Sequence, residues 1–124
     1  MLTALIVYHR ADFDGVASAA IVKRFAPEAE LYGIDDGDDF PWHKVASEDC
    51  TNAMKDSGEV PHDWRRTVYL VDFSLKREEM EMLAAYAHLI WCDHHKSALE
   101  DCAGLDILGC RSTKRSGCEL TWGW

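Results

Sequence analysis

Ala4-Leu5-Ile6-Val7-Tyr8 is a continuous apolar run that gives way to His9-Arg10-Ala11-Asp12-Phe13-Asp14-Gly15, and then to Val16, Ala19, Ala20 and Lys23 at helical spacing. A run that is apolar at every position suits a strand covered on both faces, and the period after Gly15 is that of a helix. The stretch predicts strand, polar loop, helix. Outward from it the pattern recurs: Glu30–Ile34 and Thr67–Val71 are short strand-like runs that stop at Asp35 and Asp72, and residues 89–92 stop at Asp93. Each predicted strand leads into a polar turn.

Between these runs the period changes. From Lys76 onward Met80, Leu83, Ala84 and Ala87 share one helical face, with Ser74 placed to cap an acidic first turn that holds Glu78 and Glu79. Residues 96–102 predict a short helix and 105–108 a last strand, whereas Trp42, Val45, Val60 and Trp64 within 40–66 fit neither period, so that segment is expected to be loop with a helix inside it. Strands alternating with helices predict an α/β fold, a doubly wound, mostly parallel sheet with helices on both faces. At 124 residues the chain is expected to form a single domain, 1–124.

Composition narrows the function classes. Apolar residues are 48% and charged residues 28% of the chain, ordinary values for a packed domain. Thirteen Lys and Arg against 22 Asp and Glu leave a formal charge of −9, which argues against a long nucleic acid tract held by charge. The opening apolar run is far too short for a secretory leader or for a membrane span of roughly 20 residues, so a cytoplasmic protein without membrane partners is expected. The 5 cysteines are odd in number and include no C-x-x-C pair, which suggests reduced thiols rather than a disulfide framework or thiolate zinc site.

Metal-capable side chains cluster after the predicted strands: His9, Asp12 and Asp14; then Asp72; then Asp93, His94 and His95. Taken singly, each is ordinary turn chemistry. Jointly they point to a site, because a parallel sheet gathers the carboxyl ends of its strands at one edge, where several acids repel unless a cation neutralises them. Carboxylates and imidazoles without thiolate suit manganese, with magnesium, cobalt or zinc as alternatives. Asp12 and Asp14 can face different ions and Asp72 can bridge them at the ~3.5–4 Å spacing of two-metal hydrolases, so two divalent cations are expected.

His9-Arg10-Ala11-Asp12-Phe13-Asp14-Gly15 with Ser18-Ala19 resembles motif I of the DHH phosphoesterases, Val68-Tyr69-Leu70-Val71-Asp72-Phe73-Ser74 resembles motif II, and Asp93-His94-His95-Lys96 is similar to the motif III that names the family. Ser116-Gly117-Cys118-Glu119-Leu120-Thr121-Trp122 resembles the small-residue helix start that follows in many members. The resemblance implies that His9, Asp12, Asp14, Asp72 and His94 are metal ligands, with Asp72 the bridge. It implies that His95 faces the substrate phosphate, that Asp93 is an acceptor fixing its neighbours, and that hydroxide held by the metal pair is the attacking group. Lys96 and Arg115 are the expected substrate-binding cations. The implied activity is metal-dependent hydrolysis of a short phosphodiester, such as a short oligonucleotide or a linear or cyclic dinucleotide. The alternatives are pyrophosphate or polyphosphate hydrolysis, and a non-catalytic remnant that binds metal or nucleotide.

The sequence departs from the family pattern at its end. Members usually carry a fourth-motif aspartate further downstream and then a C-terminal substrate-binding domain, while Asp101 and Asp106 follow the DHH triplet too soon to replace that aspartate. An incomplete DHH-type domain is expected, with Trp122 and Trp124 covered by the missing domain or by a homo-oligomer partner. Asp35-Asp36-Gly37-Asp38-Asp39 lacks the spacing of a calcium loop and predicts a solvated turn. Arg111, Lys114 and Arg115 are either a phosphate-holding group beside Ser116-Gly117 or ordinary surface charge.

Overall fold

The computed structural model describes residues 2–112 and 121–123. Four strands, β1 (Leu5–His9), β2 (Glu30–Ile34), β3 (Thr67–Val71) and β4 (His88–Cys92), form one parallel sheet in the order β2-β1-β3-β4. Helix α1 (Phe13–Phe25) links β1 to β2, and α4 (Arg77–Tyr86) links β3 to β4. Between β2 and β3 lie α2 (Trp42–Val45), α3 (Glu48–Ser57) and a single 3₁₀ turn, His62–Trp64; α5 (Lys96–Asp101) follows β4.

Side-chain alternation divides the core in two. Leu5 and Val7 of β1, Val68 and Leu70 of β3, and Leu89 and Trp91 of β4 face Met80 and Leu83 of α4 and Val45 of α2. On the other face Ile6, Val71 and Cys92 meet Ala19 and Val22 of α1. The doubly wound sheet expected from the sequence is thus present, and it explains why the central strands are apolar throughout: Leu5, Ile6 and Val7 are all fully buried. Each such aliphatic side chain contributes about 1.5–3 kcal/mol on burial.

Several local expectations need correction. The N-cap of α4 is Lys76, whose side chain makes no capping bond; the Arg77 amide is instead met by Asp101 Oδ2 of α5 at 2.9 Å. Residues 105–108 form no full strand. Leu108 makes one isolated bridge with Ile90 of β4, and further on Arg111 makes another with Asp93; between them Gly109 adopts φ 128, and a Cβ there would lie 2.0 Å from the Trp91 carbonyl oxygen. Among the described residues no helix is long and apolar enough to cross a membrane.

The order β2-β1-β3-β4 places the switch point between β1 and β3: the chain leaves β1 outward over one face and leaves β3 outward over the other. A crevice opens there at the carboxyl ends. His9 ends β1, Asp12 and Asp14 follow it, and Asp72 follows β3, so the fold sets them on the two sides of that crevice.

Candidate metal centre

Asp12 caps α1: its Oδ1 accepts the Asp14 N–H at 3.0 Å, while its Oδ2 lies 3.9 Å from Nδ1 of His9. From the far side of the crevice Nε2 of His94 lies 2.9 Å from Asp72 Oδ1 and 3.4 Å from Asp14 Oδ2. Donor atoms of His9, Asp12 and Asp72 come within 4.8 Å of one another, and so do those of Asp72, Asp93, His94 and His95. Asp72 belongs to both groups.

Asp72 is also the most constrained of these residues. It is fully buried, its backbone adopts φ 53, and its Oδ2 has no hydrogen-bond partner among the described residues. Burial, then the charges of Asp14 and Asp12, push its carboxyl up to about 6, against the opposing pull of His94 and His95. A non-glycine residue in the left-handed region and an orphaned buried oxygen each cost free energy on the order of 1–3 kcal/mol. A divalent cation would satisfy the oxygen and relieve the repulsion.

Asp93 holds its neighbours in place. Its buried Oδ1 accepts the backbone N–H of His94 at 2.8 Å and of His95 at 3.3 Å, and lies 2.6 Å from Nδ1 of His95. Its Oδ2, like that of Asp72, is buried and unpartnered among the described residues. Burial lowers the proton affinity of His95, but the charge and hydrogen bond of Asp93 outweigh it and raise the imidazole above its usual value. Lys96 sits at the start of α5 with its side chain 79% exposed, its nearest ionic partner being Glu100 at 3.8 Å.

The donor set is oxygen and imidazole nitrogen. Cys92, the nearest thiol in sequence, is buried in β4, where burial raises its proton affinity, and it falls in neither donor group. These donors fit a hard or intermediate divalent cation.

The model of the DHH family, N-terminal domain, matches residues 3–123. The chain belongs to the DHH family. No curated protein and no solved structure matches it. As a DHH domain it has the framework of a metal-dependent phosphoesterase, with an acidic cluster suited to divalent metal.

Of the residues singled out in the sequence, His9, Asp12, Asp14, Asp72, Asp93, His94 and His95 are brought together, and Lys96 stands beside them. Arg115 lies outside the described residues. So do Lys114 and most of the expected small-residue helix, of which Thr121 and Trp122 are described and helical. Arg111 is engaged within the fold. Its guanidinium donates to the carbonyls of Ile107, Leu108 and Trp91 and lies 5.1 Å over the Trp91 ring. The sequence missed Asp35. It contacts the loop between His9 and Asp12, a contact its acidic turn gave no reason to expect.

Proposed function

We propose that this DHH domain hydrolyses short phosphodiesters with the help of two divalent cations, manganese above all. His9, Asp12, Asp14, Asp72 and His94 would hold them. The observation that carries the proposal is Asp72, buried at the switch point with one oxygen unpartnered and shared by both groups of donors. When bound, the cations would supply Lewis acidity, lowering the pKa of water and drawing charge from the phosphoryl oxygens.

The chain's own residues do the rest. Asp93 fixes Nδ1 of His95, which leaves Nε2 as the ring nitrogen for substrate. The raised proton affinity of that ring favours a donated hydrogen bond to a phosphoryl oxygen. Lys96, and Arg115 further on, are proposed to add positive charge for one or two phosphates. The unpaired thiols of Cys50, Cys92, Cys102 and Cys110 are consistent with a reducing compartment such as the cytosol.

The test is hydrolysis by chelator-treated protein, with and without added manganese, of a linear dinucleotide, a cyclic dinucleotide, pyrophosphate and single-stranded DNA. Manganese-dependent cleavage of a dinucleotide is expected. Cleavage of pyrophosphate alone would reassign the substrate class, and the absence of cation-dependent turnover on all four would reject the proposal.

A further inference from the structure

We infer that Asp35, at the end of β2 and outside the three DHH motifs, is a positioning residue that clamps the metal-binding loop between His9 and Asp12. The inference rests on the metal centre proposed above. Only Arg10 and Ala11 separate these two ligands, and Asp35 holds both. Its Oδ1 accepts the backbone N–H of Ala11 at 3.1 Å. Its Oδ2 accepts Nη2 of Arg10 at 2.7 Å and Nε at 3.3 Å, so the guanidinium grips one oxygen with two nitrogens. The Arg10 N–H donates to the Ile34 carbonyl at 2.9 Å, which extends the pairing of β1 and β2 one residue into the loop.

The clamp is itself braced. Asp38 Oδ2 accepts the Asp35 N–H at 2.9 Å, and the Asp38 N–H returns a bond to the Asp35 carbonyl at 3.1 Å. Arg10 reaches Asp35 across Gly33. A Cβ at that glycine would lie 3.0 Å from Cβ and 3.1 Å from Cδ of Arg10, and 3.1 Å from the Tyr8 hydroxyl. The missing side chain is the lane in which the Arg10 stem lies.

An ion pair open to solvent contributes little to global stability, because water and salt screen it. The Arg10 side chain is 59% exposed and that of Asp35 33%, so the pair does little to hold the fold together. Its consequence is local. The bond to the Ala11 amide fixes the peptide that leads directly into Asp12, and Asp12 in turn accepts the Asp14 amide. Without Asp35 the strand-to-helix turn keeps its ends but loses the contact that sets its middle, and the ligand atoms of His9 and Asp12 are less well placed for a cation.

The experiment compares Asp35→Ala with Asp36→Ala by manganese calorimetry and by amide hydrogen exchange of the metal-free chain. Asp36 is exposed on the same turn and enters none of these contacts, so its variant removes the same charge without the clamp. Asp35→Ala is expected to weaken manganese binding by about tenfold or more relative to Asp36→Ala, the scale on which residues behind metal ligands act. It is also expected to speed exchange at Ala11 and Asp14. Gly33→Ala crowds Arg10 while leaving both acids in place, and should shift affinity and exchange in the same direction if Asp35→Ala fails to fold. Manganese affinity equal to that of Asp36→Ala, or unchanged exchange at both amides, would overturn the clamp. If the wild type binds no manganese, the metal centre is what fails, and exchange alone decides the clamp.

Discussion

Because the Asp72 carboxylate is fully buried beside Asp12 and Asp14, its ionised form is disfavoured in the folded, metal-free chain. The folded value of about 6 lies above the ordinary 3.8, so protonation favours the folded state. Stability should therefore rise as pH falls through about 6 and level off below about 4. Asp72→Asn removes the titration and keeps the shape, and Asn tolerates the left-handed backbone found at φ 53. Metal-free Asp72→Asn is expected to be more stable than wild type at pH 8 by on the order of 1–3 kcal/mol, with the difference closing towards pH 4. Manganese should close most or all of that gap, since a ligand at a hundredfold excess over its Kd adds about 2.7 kcal/mol to a chain that binds it and less to a variant that binds it weakly. Thermal unfolding of both proteins across pH, with and without manganese, reads this out. An equal manganese-induced rise in Tm would remove Asp72 from the ligand set.

Helix α1 begins so close to the end of β1 that a Cβ on Gly15 would lie 2.1 Å from the His9 carbonyl oxygen. Propensity alone predicts that Gly15→Ala stabilises a helix by about 1 kcal/mol. The contact predicts the opposite: α1 must move off β1, at a cost of about 1–3 kcal/mol, and His9 and Asp12 separate as it does. A lowered denaturant midpoint together with weaker manganese binding is expected, and a stabilised variant would show that α1 has room to spare. The strands and α1 were legible because their burial leaves a pattern: Glu30–Ile34 and Thr67–Val71 have the bounds that their apolar runs suggest, and β1 lies one residue later than its run. Helix α3 was legible only as an unplaced helix within 40–66, since its apolar face is just Cys50, Ala53 and Met54, although Ser47 caps it and Gly58 ends it. That the candidate residues come together was legible because strand ends converge. The strained backbone of Asp72 and the reach of Asp35 were not, since both depend on neighbours from other strands.

The distribution of charge over the described side chains bears on the size of the substrate proposed above. Lys44 and Arg66 both pair with Glu30 at the amino end of the sheet, Arg77 pairs with Glu81 and caps carbonyls of Asp101 and Ala103, and Arg111 is taken up by three carbonyls. Cations engaged in this way do not line a groove, and with a formal charge of −9 even two bound divalent ions leave the chain net negative. Exposed rings are divided likewise. Phe13, 85% exposed, stands between Asp12 and Asp14, while Phe25 and Trp122 lie 6.3 Å from each other at the opposite end of α1. Tracking a long strand calls for a continuous positive channel with a series of stacking rings, whereas a short ester needs only the metal centre, one or two cations and one ring beside them. A dinucleotide should therefore be cleaved with a kcat/KM at least several times that of a single strand of about 30 nucleotides, with a shallow dependence on salt because few counterions are released. Steady-state kinetics on both substrates from low to high salt will show it. Faster, processive loss of the long strand with a steep salt slope would mean that positive charge is gathered along a path that these side chains do not provide.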